Sequence, residues 1–505
     1  MAAHALVRAG WRVTLLERGP WVTRGKENWL PDSVGGLGPY FSKDTGWLDV
    51  SGARHKAVGT YHCVGGPSVF YGGVSLRFRE ADFAPVTEID GESGAAWPFD
   101  YRDLEPWYAA AEEIIGVAGT AGLDPTEPPR STPFPAAPLP FAPITERIAG
   151  AARALGMTPF PLPLAIHTGQ RAGRNTCVAC GSCDGFACAI EAKNDLATAV
   201  IRPLLLEGLD LRTGIAITKL EHDGHRITRV HGREGNSGTL VSFAAPQVFL
   251  AAGALATPQL LLASQLEQRN PAGNAVGRYL TRHKNEILLG MFPRQPDPER
   301  RFHKQLGIHD FYFGDPSAPG GLQRAGGLQQ LPTPPIALAR DGLPRLLKPL
   351  SRFVGHLTGL LVIAEDQPRA ENRIQLSGGE DAHGMACAEI RHTYGERDRM
   401  ATDLLRRHAE RILRSAGAWH CYRHVIDTYS HALGTVRLGH DASSAPLDAD
   451  HRFRGIDNLY VVDGSALPRS AGVNPSLTIA ALALRAASRL AERHSHSSDT
   501  GMVHA

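Results

Sequence analysis

No apolar run in the sequence reaches the ~18 residues that a membrane-spanning helix requires. The opening stretch, MAAHALVRAGWRVTLLERGP, lacks the charged start, long apolar run and small-residue cleavage site of a secretory signal. The expected compartment is therefore the cytoplasm. Lys and Arg are not gathered into a long run and the formal net charge is only +2, so nothing in the charge pattern supports a nucleic-acid partner. There are no internal repeats. Seven cysteines is an odd number, and in reducing surroundings thiols or metal ligands are expected before disulfides. A G-x-G-x-x-G loop is missing from the start of the chain.

What is present points to a large globular protein. A chain of 505 residues is too long for one ordinary domain, so two or more are expected. Hydrophobic residues at 43% and charged residues at 21% match an ordinary soluble composition. Fifty-four glycines and thirty-six prolines imply many tight turns and close backbone approaches.

Residues 3–9 read as the end of a helix with Gly10 as its C-terminal cap. Val13, Leu15 and Leu16 then form a short apolar strand ending in Glu17. Helix, strand and terminal acid make the second half of a dinucleotide-binding βαβ unit, in which the acid accepts from a ribose hydroxyl. The alternative for Glu17 alone is a solvated charge at a strand end. The first half, whose glycines let backbone reach a pyrophosphate at a helix N-terminus, is expected to be encoded upstream of Met1. The competing reading is that dinucleotide binding has been lost.

Further along, residues 58–80 read as a glycine-rich turn and an alternating, strand-like segment. Residues 97–117 read as a turn and an amphipathic helix with Leu104, Tyr108, Ala111, Ile114 and Ile115 on one face. The proline-rich stretch 124–142 is a surface loop. LDLRTGIAITKLEHDGHRITRVHGRE reads as a strand meander turning at Asp223–Gly224. VFLAAGA is a short strand, followed by a helix opened by Thr257–Pro258. Residues 295–390 mix strand and loop, and 396–416 form an amphipathic helix. Residues 337–358, basic and apolar by turns, are expected to be a core-packed helix, with a membrane-surface or partner helix as the alternative. The segment 458–493 reads as strand, turn and long helix, and 494–505 as a disordered tail.

Several blocks occur together in one order. HALGTVRLGHD (431–441) and NLYVVDGSALPRSAGVNPSLTIAALALRAA (458–487) resemble the C-terminal signature of the glucose–methanol–choline (GMC) oxidoreductases. GALATPQLLLASQL (253–266) resembles that family's second signature, and VGRYLTRH (276–283) and VGGPSVFYGGVSLR (64–77) match further blocks. The resemblance runs from about residue 1 to residue 493. It implies an α/β fold with an α+β substrate domain: a Rossmann-like FAD-binding domain interleaved with a sheet-based substrate-binding domain. The FAD-binding part is expected at 1–85, 190–290 and 430–493, and the substrate-binding part, with a cysteine-rich loop, at 86–189 and 291–429.

The same resemblance implies a small-molecule alcohol as substrate, oxidised by hydride transfer to flavin N5, with oxygen, a quinone or a redox protein as electron acceptor. Glu17, Arg18, Gly65, Gly66, Ser68, Tyr71, Gly72, Ala252, Gly253, Asp463, Gly464, Asn474 and Pro475 are the expected cofactor-binding positions. Gly65 and Gly66 would bring backbone close to the cofactor, although a simple tight turn explains them equally. Asn474–Pro475 opens a helix whose positive end can hold negative charge on a reduced ring. His431 and Asn474 are the expected catalytic pair. An imidazole with a pKa of ~6.5 suits removal of a hydroxyl proton, and a carboxamide is a neutral partner for the substrate oxygen. The alternative is a core histidine and a helix cap. Members with covalent flavin carry histidine at the G-G-x-x-x-H position. Phe70 stands there, so FAD is expected to bind non-covalently.

Cys177-x2-Cys180-x2-Cys183-x4-Cys188 departs by one residue from a ferredoxin-type run. Metal-free thiols, an iron–sulfur cluster and zinc all remain open. Two other functional classes compete with the flavoenzyme. A NAD-linked dehydrogenase would not need the DGS…NP block. A degenerate, non-catalytic flavin-fold protein is favoured by the missing loop and opposed by His431 and Asn474. Translation of the DNA upstream of Met1 is expected to give an in-frame strand and G-x-G-x-x-G; a stop codon or unrelated sequence there removes the support for an enzyme.

Overall fold

The computed structural model describes residues 1–34, 38–169, 173–235, 237–315 and 321–500. The first helix, Ala2–Arg8, buries Ala5 and Leu6, and Gly10 follows it at φ +82°, a left-handed turn that suits glycine. The strand Thr14–Glu17 pairs in parallel with Asp210–Thr213. A second parallel pair joins Val248–Leu250 to Leu459–Val461. Parallel strands need their faces covered. Here the last helix, Ser476–Thr500, sets Leu484 and Ala487 against Ala5 and Leu6. Helix Tyr101–Ile115 opens on an Asp100–Asp103 capping box and buries Leu104, Tyr108, Ala111 and Ile115 at helical spacing.

A second part of the fold is built on an antiparallel six-stranded sheet. Its order is His420–Val425, Lys284–Met291, Leu357–Ala364, Gly326–Leu331, Leu306–Ile308 and Phe160–Pro161. Strand periodicity divides its two faces. Leu328, Leu360, Val362 and Ala364 point to one side and pack under the helices Pro143–Ala154 and Glu396–Ser415. Leu404, Leu405, Ile412 and Leu413 complete that layer, each worth about 1.5–3 kcal/mol of burial. Gln329 points to the opposite side, where the loop before the last helix lies.

Five expectations need correction. The residues after the glycine turn do not alternate: Val74 to Arg79 are all buried and belong to no named strand, with a bridge from Val74 to Leu164 and a Ser75 N–H bond to the Pro163 carbonyl at 2.9 Å holding their start. Both sides are covered because their cations have buried partners, Arg77 with Glu112 (2.8 Å) and Arg79 with Asp124 (2.5 Å). In the meander region, Asp210–Thr213 leaves to pair with Thr14–Glu17. The remaining three strands form one antiparallel sheet, turning at Asp223–Gly224 where Gly224 has φ +106°.

Residues 337–358 are not a core-packed helix. An α-helix, Ile336–Gly342, ends at the extended Leu343–Pro344, and Arg345–His356, with Pro349 inside it, forms a 3₁₀ helix. With three residues per turn, rows at i and i+3 eclipse. Ser351 and Val354 therefore face inward, while Leu347, Leu350 and Phe353 are exposed. The last helix continues through Thr500, so 494–500 are helical rather than disordered; 501–505 lie outside the described residues.

The helix expected to open at Thr257–Pro258 instead begins at Gly253. Pro258 lies inside it and has no N–H for the carbonyl of Ala254. The buried Thr435 hydroxyl donates to that carbonyl instead, at 2.7 Å. Thr435→Val is expected to lower the unfolding free energy by about 1–3 kcal/mol, because a buried acceptor loses its donor. Chemical denaturation measures the loss, and Thr435→Ser should recover most of it.

Candidate active site

Two imidazoles meet at the centre of the expected site. His283 stands immediately before the strand Lys284–Met291, at a left-handed φ of +57°. The strain is held by Asp366, whose carboxylate accepts the backbone N–H of Arg282 at 2.9 Å and of His283 at 3.1 Å. Ser470 Oγ donates to the same carboxylate at 2.8 Å. Burial alone would raise the Asp366 carboxyl. The bond to His392, together with the nearby His392 and His283 and the Arg282 N–H, holds it below the usual range.

These contacts aim the His283 ring. Its Nε2 lies 3.0 Å from the carbonyl of Ser470 and 2.9 Å from that of Ala471. Carbonyls only accept, so Nε2 carries the proton. In the neutral ring Nδ1 is then an acceptor, and His431 Nδ1, 2.9 Å away, must donate to it. That leaves His431 Nε2 with its lone pair free. The rings meet edge to face, with centroids 5.1 Å apart. Burial, followed by His283 and Lys304, pushes His431 down to about 3. The ring is thus a neutral acceptor at every ordinary pH.

Asn474 hangs on the same loop as those carbonyls. Within it Ala471 has φ +55°. A side chain on Gly472 would stand 2.7 Å from Gly326 Cα and 2.7 Å from the Tyr312 ring, so only glycine lets sheet and loop approach this closely. The Gly472 N–H donates to Tyr312 Oη at 3.0 Å. Asn474 Oδ1 accepts from Gln329 Nε2 at 2.5 Å. No hydrogen bond joins His431 to Asn474; they are related through His283 and this loop. Around them, Thr281 Oγ1, Asn285 Oδ1 and Gln329 Oε1 are buried without a hydrogen-bond partner. A polar ligand would satisfy them, so this wall fits a bound cofactor and hydroxyl substrate.

The expected cofactor positions fall into three groups. Glu17 ends its strand with one oxygen accepting from the Gly19 N–H at 2.8 Å. Burial pushes its carboxyl from 4.5 up to about 7. Arg18 lies 3.7 Å from Asp381. In the glycine turn, Gly65 has φ +89° and its missing side chain would stand 2.8 Å from Ala197 Cβ. Gly66 follows at φ +55° with open space beside it. Ser68 Oγ donates to the Gly65 carbonyl at 2.6 Å and accepts from the Leu196 N–H at 3.1 Å. Phe70 is buried and stacks on Tyr61, with ring centroids 4.5 Å apart. Tyr71 Oη donates to the Asn194 carbonyl at 3.4 Å, and Gly72 packs against Lys304 and Asp184.

The third group joins the two C-terminal strands. Ala252 precedes the helix that Gly253 begins at φ +89°. Asp463 accepts the Gly253 N–H at 3.0 Å, Thr257 Oγ1 at 2.5 Å, Ser465 N–H at 2.8 Å and Ser465 Oγ at 2.6 Å. All of its ~four acceptor positions are engaged. Asp463 thus holds the turn, and Gly464 lies against Leu433, with Pro475 accepting from the Ile479 N–H at 2.9 Å in the first turn of the last helix.

The four clustered cysteines, Cys177, Cys180, Cys183 and Cys188, line one small pocket and are all free thiols. Burial raises Cys177 to about 11 and Cys183 to about 12. Among the described residues, no three His, Cys, Asp or Glu side chains converge closely enough to hold one metal ion. Three positions at the site were not singled out by sequence: His283, Asp366 and Gln329. Only His283 left a signal, as the last residue of the VGRYLTRH block.

The chain is similar to known proteins over most of its length. Models of the GMC oxidoreductase family match residues 57–285 and 368–483. The chain is 31% identical to 6'''-hydroxyparomomycin C oxidase of Streptomyces lividus, over 85% of this chain and 78% of that protein. It is 30% identical to paromamine 6'-oxidase of Streptomyces fradiae, over 97% and 89%. It is 27% identical to 2-methyl-1,2-propanediol dehydrogenase of Mycolicibacterium austroafricanum, over 97% and 92%. Among solved structures, pyridoxine 4-oxidase from Mesorbium loti superposes with a TM-score of 0.68, at 18% identity, covering 97% of this chain and 96% of that one.

The buried Glu17 sets a pH signature. Its folded pKa lies above its unfolded value, so its contribution is full below about 4.5 and is lost as pH rises through about 7. Denaturant unfolding of the flavin-free chain is expected to show wild type losing about 2–4 kcal/mol relative to Glu17→Gln between pH 4.5 and pH 8. A constant difference across that range means that the carboxyl is not held as described.

Proposed function

Because the chain belongs to the GMC oxidoreductase family, a group of flavoprotein oxidases and dehydrogenases acting on hydroxyl groups, we propose that it oxidises a substrate CH–OH group by hydride transfer to FAD, with His431 as the base. The observation that carries this reading is the free lone pair on His431 Nε2, fixed by the two carbonyls on the far side of His283. FAD, when bound, supplies the hydride acceptor. Glu17, the Gly65–Gly66 turn, Ser68 and the turn held by Asp463 would hold it, and the N-terminus of the last helix would stabilise charge on the ring. Phe70 offers no nucleophilic nitrogen and is locked against Tyr61, which supports non-covalent binding.

The chain's own groups account for the proton. His431 Nε2 accepts it from the substrate hydroxyl as the hydride departs. The cation so formed keeps its Nδ1–H bond to His283, while Asp366, hydrogen-bonded beyond His283, offsets the charge. Asn474 has its oxygen engaged by Gln329, leaving its NH₂ group to donate to the substrate oxygen. In this reading residues 1–85, 190–290 and 430–493 form the flavin side, and 86–189 and 291–429 the substrate side. The curated relatives are named for oxidising small alcohols and sugars, and a small hydroxylated molecule is the proposed substrate. No described helix is long and apolar enough to cross a membrane, and a cytoplasmic location is proposed.

Protein carrying its flavin is expected to be yellow and to bleach anaerobically with substrate. His431→Ala should keep the colour but slow bleaching by about 100-fold or more. His283→Ala, a positioning change, should lower kcat more than it raises KM, because the proton of neutral His431 is no longer held on Nδ1 and its Nε2 no longer always presents a lone pair. Unchanged bleaching in His431→Ala removes this base from the mechanism.

A further inference from the structure

Residues 336–356 take no part in the alcohol chemistry, yet they carry a surface of their own. They join the strands Gly326–Leu331 and Leu357–Ala364 at the end of the six-stranded sheet that lies away from His283. The strand Lys284–Met291 runs from one end to the other, a span of about 25 Å. Along the segment Ile336, Leu338, Leu346, Leu347, Leu350 and Phe353 are all exposed, Leu346 at 92%. The 3₁₀ geometry explains this arrangement, because residues three apart eclipse. Leu347, Leu350 and Phe353 form one outward row. Arg345 and Lys348 head a second row whose other members, Ser351 and Val354, anchor it in the protein. Arg352 closes the third, behind Leu346 and Pro349.

The same end of the sheet extends the apolar surface. Met291 pairs with both Leu357 and His420, and its carbonyl accepts the Trp419 N–H at 2.8 Å. The next residue, Phe292, donates its N–H to the His356 carbonyl at 2.9 Å. Met291 and Trp419 are therefore held beside the end of the 3₁₀ helix, and both are exposed, Trp419 at 72%. Single exposed apolar residues are ordinary, but a group of them at one place marks an interaction surface.

Charge identifies the occupant. Residues 336–356 carry Arg340, Arg345, Lys348 and Arg352 against one acid, Asp341. All four cations are exposed, and none is ion-paired among the described residues; Arg352 lies only over the Phe353 ring, at 4.9 Å. A second copy of the chain fits poorly, since a two-fold pairing of this face with itself sets the same cations against one another. Leu346, with so little around it, is a knob rather than the wall of a groove. Apolar knobs beside unpaired cations match a soft surface of negative charge. Leucine and phenylalanine enter the acyl boundary, tryptophan stays at headgroup level, and arginine and lysine meet lipid phosphate. We propose that residues 336–356, with Met291 and Trp419, dock the protein peripherally on an anionic bilayer. The length of the strand Lys284–Met291 keeps the His283–His431 site clear of the lipid.

Vesicle flotation of the full-length protein tests this. Vesicles of phosphatidylglycerol and phosphatidylcholine in equal parts are expected to bind it at least about tenfold more tightly than vesicles of phosphatidylcholine alone, and about 0.5 M salt should remove most of the difference. The triple variant Arg345→Ser/Lys348→Ser/Arg352→Ser should bind the anionic vesicles about 100-fold more weakly, at about fivefold per cation. Leu350→Ser/Phe353→Ser should weaken binding at least about tenfold, because its apolar row no longer enters the acyl boundary. Both variants change exposed residues only and should keep the wild-type melting temperature. Equal binding to the two kinds of vesicle, binding to neither, or unaltered binding in either variant overturns the proposal. A dimer in solution that Leu350→Ser/Phe353→Ser takes apart overturns it as well, because a second copy then covers this face.

Discussion

The position of one proton, on His283 Nε2, sets the hydrogen-bonding state of the two imidazoles at the centre of the candidate site. Two carbonyls face that nitrogen, and neither can donate. The proton cannot move to the other ring nitrogen without leaving three acceptors pointing at one another. His431 inherits the consequence, since its Nδ1 must donate and its Nε2 must accept. A neutral acceptor nitrogen is thus prepared by backbone geometry, without a charged side chain touching it. Low solvent access then keeps His431 neutral, so its availability does not depend on the surrounding pH.

That arrangement requires the Ser470–Ala471 carbonyls and the His283 ring to hold station, and buried ions supply the rigidity. Asp366 binds the backbone at Arg282 and His283 and the hydroxyl of Ser470. One residue earlier in each segment, Glu365 pairs with Arg469 at 3.0 Å, both buried. Buried pairs contribute little net stability over an apolar core, but breaking one leaves an uncompensated charge. Their value here is positional. Two adjacent acids at the end of Leu357–Ala364 grip two adjacent residues before the last helix, so the sheet and the C-terminal loop move as one. The contact between Gly472 and Gly326 closes the remaining gap.

Much of this could be read from the sequence because it rests on local signals. The helix and acid of 2–17, the amphipathic helix within 97–117 and the turn at Asp223–Gly224 all depend on residues close together in the chain. The failures share the opposite property. The start of the helix at Gly253 is set by Asp463, over two hundred residues away, and Pro258 is tolerated within it because Thr435 substitutes for the missing N–H. Val74 to Arg79 looked alternating, yet partners on another helix and loop let Arg77 and Arg79 be buried. Asp366 and Gln329 carry no motif at all; their roles exist only after a strand end and a loop are brought together. Residues 345–356 misled because helical periodicity was assumed where Pro349 sits in a 3₁₀ helix.

Asp463 shows how a sequence motif can be right about a place and incomplete about a role. Its block resembles a cofactor contact, and it does lie where two strands of the flavin side end. But a carboxylate accepts about four hydrogen bonds, and Gly253, Thr257 and Ser465 already supply four donors. Another acceptor oxygen brought beside it would meet uncompensated repulsion. The residue is therefore better understood as the joint that locks the second strand–helix turn to the last one, leaving backbone groups of those turns to meet the cofactor. Glu17 is the counterpart. Its buried carboxyl has a protein donor on one oxygen and a raised pKa, which marks an acceptor still short of donors, as ribose hydroxyls would be. Of the two acids that the motifs assign to the cofactor, Asp463 has its acceptor positions engaged by the scaffold, and Glu17 is the one proposed for the direct contact.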